Sequence, residues 1–272
     1  MRMKFAMALV IGASFASFAS AQYKLGGPDS TLTPSSGSWA WDGSRMTAFR
    51  GALENPNFFG PAGVSQKTIQ TSNLSVMDGT SLAGLDGLAI SWMFDVDTTP
   101  AQEAAVLSFF LGGGDLLLFD DEPATDRFAE LLGIPSSFSD GSASNGGAPL
   151  FNGLFGVANN ILQVGDTGQL TAADIAAKNG TIGAVNTSGQ ITAAYWEKGQ
   201  YAAGAGKLLI IADVDMVSSD SAIYGNGLGD LNDNGRFALN SMDWFVSQPV
   251  PEPATMAVLA LGALAALKRR RK

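Results

Sequence analysis

Carboxylates close three apolar runs of this chain. Asp95 and Asp97 follow the run 88–94, Asp120, Asp121 and Glu122 follow 116–119, and Asp213 and Asp215 follow 207–212. If these runs are parallel neighbours in one sheet, the acids meet at its carboxyl edge, where open α/β folds hold ligands. Carboxylates gathered so closely share a cation or keep protons. An all-oxygen set suits Ca2+ or Mg2+, and a metal-activated water there would serve a hydrolase. The competing reading is local: an Asp after a strand caps the next helix or faces water.

Asp230-Leu231-Asn232-Asp233-Asn234-Gly235 forms a second oxygen cluster. Asp230, Asn232 and Asn234 occupy alternate positions of an EF-hand-type calcium loop, with Gly235 at its sharp turn. The twelfth position is Ser241 instead of a bidentate Glu, and the same stretch reads as a helix N-cap at Asp233 or Asn234. Trp39, Trp41, Trp92, Trp196 and Trp244 are candidates for a sugar-stacking platform, set against the packing role aromatics usually take in strands and helices.

Other chemistries are excluded by composition. The chain has no Cys and no His. Disulfides, Cys or His zinc sites, His-held haem, and Cys–His or Ser–His–Asp catalysis are therefore closed to it. It has no Gly-x-Ser-x-Gly elbow, Ser-x-x-Lys pair or Walker loop. Gly225-Asn226-Gly227-Leu228-Gly229 lacks the strand-then-helix setting of a dinucleotide site. The formal charge is −9, but seven of the 16 basic residues sit at the two ends. With Glu252 also set aside, the body keeps 9 basic against 24 acidic residues, a balance of −15 that repels nucleic acid.

The elements that position these residues alternate between strand and helix. A helix is expected over 44–54, capped by Asp42 or Ser44, with Met46, Phe49 and Leu53 on one face. Strands are expected over 64–69 and 88–94. Thr99-Pro100 with Gln102 forms a capping box, and Val106, Leu107, Phe110 and Leu111 then face a core before Gly112-Gly113-Gly114. Leu116-Leu117-Leu118-Phe119 is apolar at every position, as in a strand covered on both faces. Phe128, Leu131 and Leu132 follow on a helix closed by Gly133. Residues 136–152 read as a long surface insertion, 181–186 and 191–196 as a hairpin, and 207–212 as a buried strand. A last helix starts near Asn234 and carries Ala238, Met242 and Phe245. The expected fold is three-layer α/β with a mainly parallel sheet, flavodoxin-like or amidotransferase-like, and a hairpin-containing insertion. A 46% hydrophobic content supplies the core.

The two ends read as addresses. Arg2 and Lys4 precede an apolar stretch, and Ala19-Ser20-Ala21 gives the small-x-small pattern cut by signal peptidase, with a mature start at Gln22. At the other end Val250-Pro251-Glu252-Pro253 leads into the uncharged run 254–267 and then Lys268-Arg269-Arg270-Arg271-Lys272. Fourteen such residues make only ~21 Å of helix, short of a ~30 Å hydrocarbon core. The basic cluster stays cytoplasmic, which leaves Pro251, Glu252 and Pro253 outside. This order closely resembles the PEP-CTERM sorting signal. The resemblance implies processing by an exosortase, a Gram-negative-type envelope, transient inner-membrane anchoring through the C-terminal helix, and export to the surface or an exopolysaccharide matrix.

Residues 41–247 resemble, more loosely, non-catalytic class I glutamine amidotransferase-like domains. The pieces are Leu85-Asp86-Gly87-Leu88-Ala89-Ile90-Ser91, the triple glycine before Leu116, Leu131-Leu132-Gly133-Ile134, and the stretch Asp233-Asn234-Gly235-Arg236-Phe237-Ala238-Leu239-Asn240. Catalytic members use a Cys nucleophile and a His–Glu pair, which this chain cannot supply. The expected organisation is a signal peptide over 1–21, an arm over 22–40, an α/β domain over 41–249 and a sorting segment over 250–272. The expected role is binding or structural and non-catalytic, towards extracellular polysaccharide or surface proteins, with no resident cofactor. The alternative is a Ca2+- or Mg2+-dependent hydrolase at the acidic edge.

Overall fold

The computed structural model describes residues 22–165 and 167–247. The signal-peptide residues Ala19 and Ala21, the sorting residues Pro251, Glu252 and Pro253, and the expected C-terminal membrane helix lie outside them. In chain order the strands are β1 (Tyr23–Pro28), β2 (Ile69–Leu74), β3 (Gly87–Ser91), β4 (Asp115–Phe119), β5 (Ser137–Phe138) and β6 (Ser144–Gly146). They continue with β7 (Asn152–Gly153), β8 (Gly156–Val157), β9 (Gly168–Gln169), β10 (Thr181–Asn186), β11 (Ile191–Trp196) and β12 (Leu208–Ile211). The α-helices are α1 (Thr47–Glu54), α2 (Gly79–Leu82), α3 (Pro100–Leu111), α4 (Arg127–Leu131), α5 (Ala172–Ala177) and α6 (Asp233–Phe245). No helix among the described residues is long and apolar enough to cross a membrane.

Eight strands form one sheet in the order β2-β1-β3-β4-β12-β11-β10-β6. The first five are parallel, and β11, β10 and β6 continue antiparallel. The parallel part has the doubly wound, flavodoxin-like order, with its chain reversal between β1 and β3. Side chains of β4 alternate between two cores. Leu117 and Phe119 pack with α1 and α6, while Leu116 and Leu118 pack with Val106 and Phe110 of α3 and Phe128 of α4. This is the three-layer α/β arrangement, and the every-position apolar run follows from burial on both faces.

Several expected boundaries move. The arm expected over 22–40 is corrected: 23–28 is an interior strand of the sheet, β1, paired with both β2 and β3. The second strand runs over Ile69–Leu74 rather than 64–69. β3 ends at Ser91 because Trp92 adopts a left-handed backbone, φ 41°, which breaks the ladder. The hairpin stands where the alternation puts it, but it extends the main sheet. Residues 136–152 also do more than decorate the surface: β6 joins the sheet edge, and Leu150 and Phe151 are buried against the α6 side. Leu111, expected in the core, is 47% exposed.

α6 is capped by Asn232, one residue before the expected pair. Its Oδ1 accepts from the Gly235 and Ile223 amides, and its Nδ2 donates to Ser221 O. At the far end of α6, Lys207 Nζ donates to the carbonyls of Trp244, in the last turn, and Ser247, just past the cap, where its charge meets the negative end of the helix.

Candidate functional site

The acids after β3, β4 and β12 do reach the carboxyl edge, but the sheet divides them. Successive residues leaving a strand point to opposite faces. Asp120 turns to the α3–α4 side, into a cavity of about 10 Å3 walled by Ile90, Leu118, Phe128 and Ala129. Neither of its carboxylate oxygens has a hydrogen-bond partner among the described residues. Burial, then the charge of Asp126, pushes its pKa well up. The nearby Ser136 hydroxyl is directed to Asp126 Oδ2, at 3.5 Å.

Asp121 turns to the other face and joins Asp213 and Asp215. Its Oδ1 accepts from the Val214 amide at 2.6 Å. Asp213 spends both oxygens on backbone, accepting from the Asp215 amide at 2.7 Å and the Val164 amide at 3.1 Å. Burial and the neighbouring carboxylates raise the pKa values of Asp121 and Asp213 well above the usual range. The pair therefore holds on to protons that isolated aspartates would release. Asp215 Oδ1 accepts from Trp39 Nε1 at 2.8 Å and from the Ser218 hydroxyl at 2.5 Å.

The remaining candidates stand apart. Asp95 Oδ1 accepts from the Arg127 amide, and burial is the main cause of its raised pKa. Asp97 is taken up by the Ser35 amide and hydroxyl. The calcium-loop residues are likewise engaged. Asp230 Oδ2 accepts from the Asn226 and Gly227 amides, Asn232 caps α6, and Asn234 binds Leu162 N, Leu162 O and Met216 O. Among the described residues no three acidic groups are arranged so as to hold a metal ion.

Two tryptophans complete a cleft that the acids alone did not outline. Trp41 and Trp196 are fully buried and Trp244 nearly so. Trp39, after β1, and Trp92, after β3, stay part-exposed and meet edge to face with ring centroids 4.9 Å apart. Reciprocal serine bonds hold their loops together: Ser91 Oγ donates to Trp39 O and Ser36 Oγ to Trp92 O, each at 2.6 Å. The pair thus sits over the β1/β3 chain reversal, the point where open α/β sheets form their ligand crevice. With Asp121, Val164, Gly165 and Asp215 it encloses about 110 Å3. Trp39 and Trp92 were legible only as members of a set of five; Asp126 and Lys207 carried no local signal at all. A larger cavity of about 410 Å3, lined by Asp86, Asp115, Lys198 and Ser247 among others, lies at the opposite edge, where β3 and β4 begin.

Residues 249–272 match the PEP-CTERM protein-sorting motif. The chain carries an export and cell-surface sorting signal. The PEP-CTERM segment begins two residues after the last described residue, Ser247, and implies processing by an exosortase. No curated protein matches the chain in sequence. Among solved structures, the mmIFT52 N-terminal domain aligns at TM-score 0.52 and 14% identity, over 85% of this chain and 100% of that one. A protein from Bacteroides uniformis described as ThuA-like aligns at 0.51 and 12%, over 87% and 96% of the two chains. A GMP synthase-like protein from Thermoplasma acidophilum reaches 0.43 and 14%, over 81% and 94% of the two chains. At such identities the likeness is one of fold, and function must be argued from the site.

Proposed function

We propose that this PEP-CTERM protein is a non-catalytic binding module of the cell surface whose α/β domain takes one saccharide unit of an extracellular polysaccharide. The observation that carries the reading is the Trp39–Trp92 pair beside Asp121 and Asp215 at the β1/β3 reversal. Indole faces stack on the C–H faces of sugar rings, and carboxylates accept from their hydroxyls. The volume, well below that of a drug-sized pocket, suits one edge of a pyranose. The Cys–His chemistry of catalytic class I glutamine amidotransferases is closed to a chain with neither residue. Asp213, the acid that would have to complete a metal centre with Asp121, has both oxygens bonded to backbone amides.

The test is titration of the full-length chain, in detergent, with neutral and charged oligosaccharides while tryptophan fluorescence is followed. Saturable quenching is expected, with the oligosaccharide recovered intact and Trp92→Ala weakening binding at least about tenfold, or about 1.4 kcal/mol. Absence of binding by every oligosaccharide would overturn the reading. Cleavage of the sugar during incubation would replace it with an enzyme.

A further inference from the structure

We infer that the cleft selects an amino sugar, receiving its protonated primary amine between Asp121 and Asp215. The inference rests on the saccharide reading and adds to it the chemistry of the sugar. Two carboxylate oxygens at the cleft are left open. Asp121 Oδ2 and Asp215 Oδ2 accept no hydrogen bond from the described residues, although the partner oxygens of both acids do. Asp121, 3% exposed, is among the residues that line the cavity.

Two free acceptors describe the ligand. An –NH3+ group brings three donors and a positive charge to the Asp215 carboxylate and to Asp121, whose retained proton that charge displaces. A quaternary ammonium brings charge but no N–H, and would leave both acids open. A uronic acid brings a carboxylate against two others, which costs affinity. None of the six residues lining the cleft is cationic. The nearby Arg45 guanidinium, 4.3 Å from the Trp39 ring centroid, is already paired with Asp220. The Trp39 and Trp92 rings, fixed edge to face, supply the aromatic wall of the cleft.

Calorimetric titration of the full-length chain with short oligomers of glucosamine, N-acetylglucosamine and galacturonate, and with choline chloride, tests this. Glucosamine oligomers should bind at least about tenfold more tightly than their N-acetylated counterparts, galacturonate least, and choline not measurably. In Asp215→Asn the Trp39 hydrogen bond is retained while the charge is removed, so the preference for the amine over its acetylated form should disappear. Equal affinity for the amine and its acetylated form would overturn the inference and leave the saccharide reading intact. No sugar binding at all would remove both. Choline binding as tight as glucosamine would overturn the primary-amine assignment. The ligand comparison on the unaltered chain decides the matter even if Asp215→Asn fails to fold.

Discussion

Asp120 shows at the scale of one residue how burial governs charge. Its carboxyl is enclosed by apolar side chains, with no hydrogen-bond partner among the described residues and Asp126 nearby. The folded chain therefore holds a proton there that the unfolded chain releases near pH 4. A raised folded pKa gives stability that is complete below the unfolded value and is lost as pH climbs towards the folded one. Each such proton contributes a loss of about 1.4 kcal/mol per pH unit inside that window. Asp121 and Asp213, also raised, act in the same direction. The lowered groups Asp78 and Asp140 are solvent-facing and weigh little against them. Urea unfolding from pH 4 to 8 should therefore show stability falling with pH, and Asp120→Asn should flatten part of that slope. A variant slope equal to that of the unaltered chain would mean that Asp120 is already ionised in the fold.

Among the elements, legibility tracked burial and failed where two surfaces approach too closely for a side chain. β4, β12 and the β10–β11 hairpin were readable because their patterns follow directly from which faces are covered. The cap of α6 shifted by only one or two residues, since Asn232, Asp233 and Asn234 are all competent caps and only tertiary partners choose between them. β1 was hidden. Its Gly26-Gly27 pair has the look of a loop, yet both glycines lie in a ladder with β2. The reason is contact across the sheet: a Cβ on Gly27 would stand 2.3 Å from the Trp41 indole, and one on Gly26 2.5 Å from Leu85. Trp41 is fully buried and cannot swing aside. Gly27→Ala should therefore cost about 1–3 kcal/mol in chemical denaturation by overpacking. An unchanged midpoint would mean that Trp41 has a second rotamer available. The candidate site was half legible for a related reason. Strand-end acids mark the edge in sequence, but the face each one takes depends on where its strand stops, and β3 stops at Ser91 rather than at 94.

At the scale of the molecule, the last described residue, Ser247, and the cleft lie at opposite edges of the sheet. The cleft is built from residues following β3, β4 and β12. α6 begins on that side, where Asn234 binds Met216 O, and runs back to the edge where the parallel strands start. There Lys207, just before β12, holds the Trp244 and Ser247 carbonyls, and Lys67, just before β2, donates to Asp243 and to Ser247 Oγ. A five-residue strand separates the two edges by about 16 Å. A chain tethered through the residues after Ser247 therefore turns its cleft away from the tether. Replacing Pro251, Glu252 and Pro253 by Ala should block exosortase processing and leave a membrane-held form, visible as a slower-migrating band in the membrane fraction. That form should bind glucosamine oligomers within about twofold, or about 0.4 kcal/mol, of the processed protein, because Ser247, from which the tethered segment continues, is at the other end of the sheet. Binding lost on tethering and regained on proteolytic release would put the cleft on the membrane side, against the path of α6.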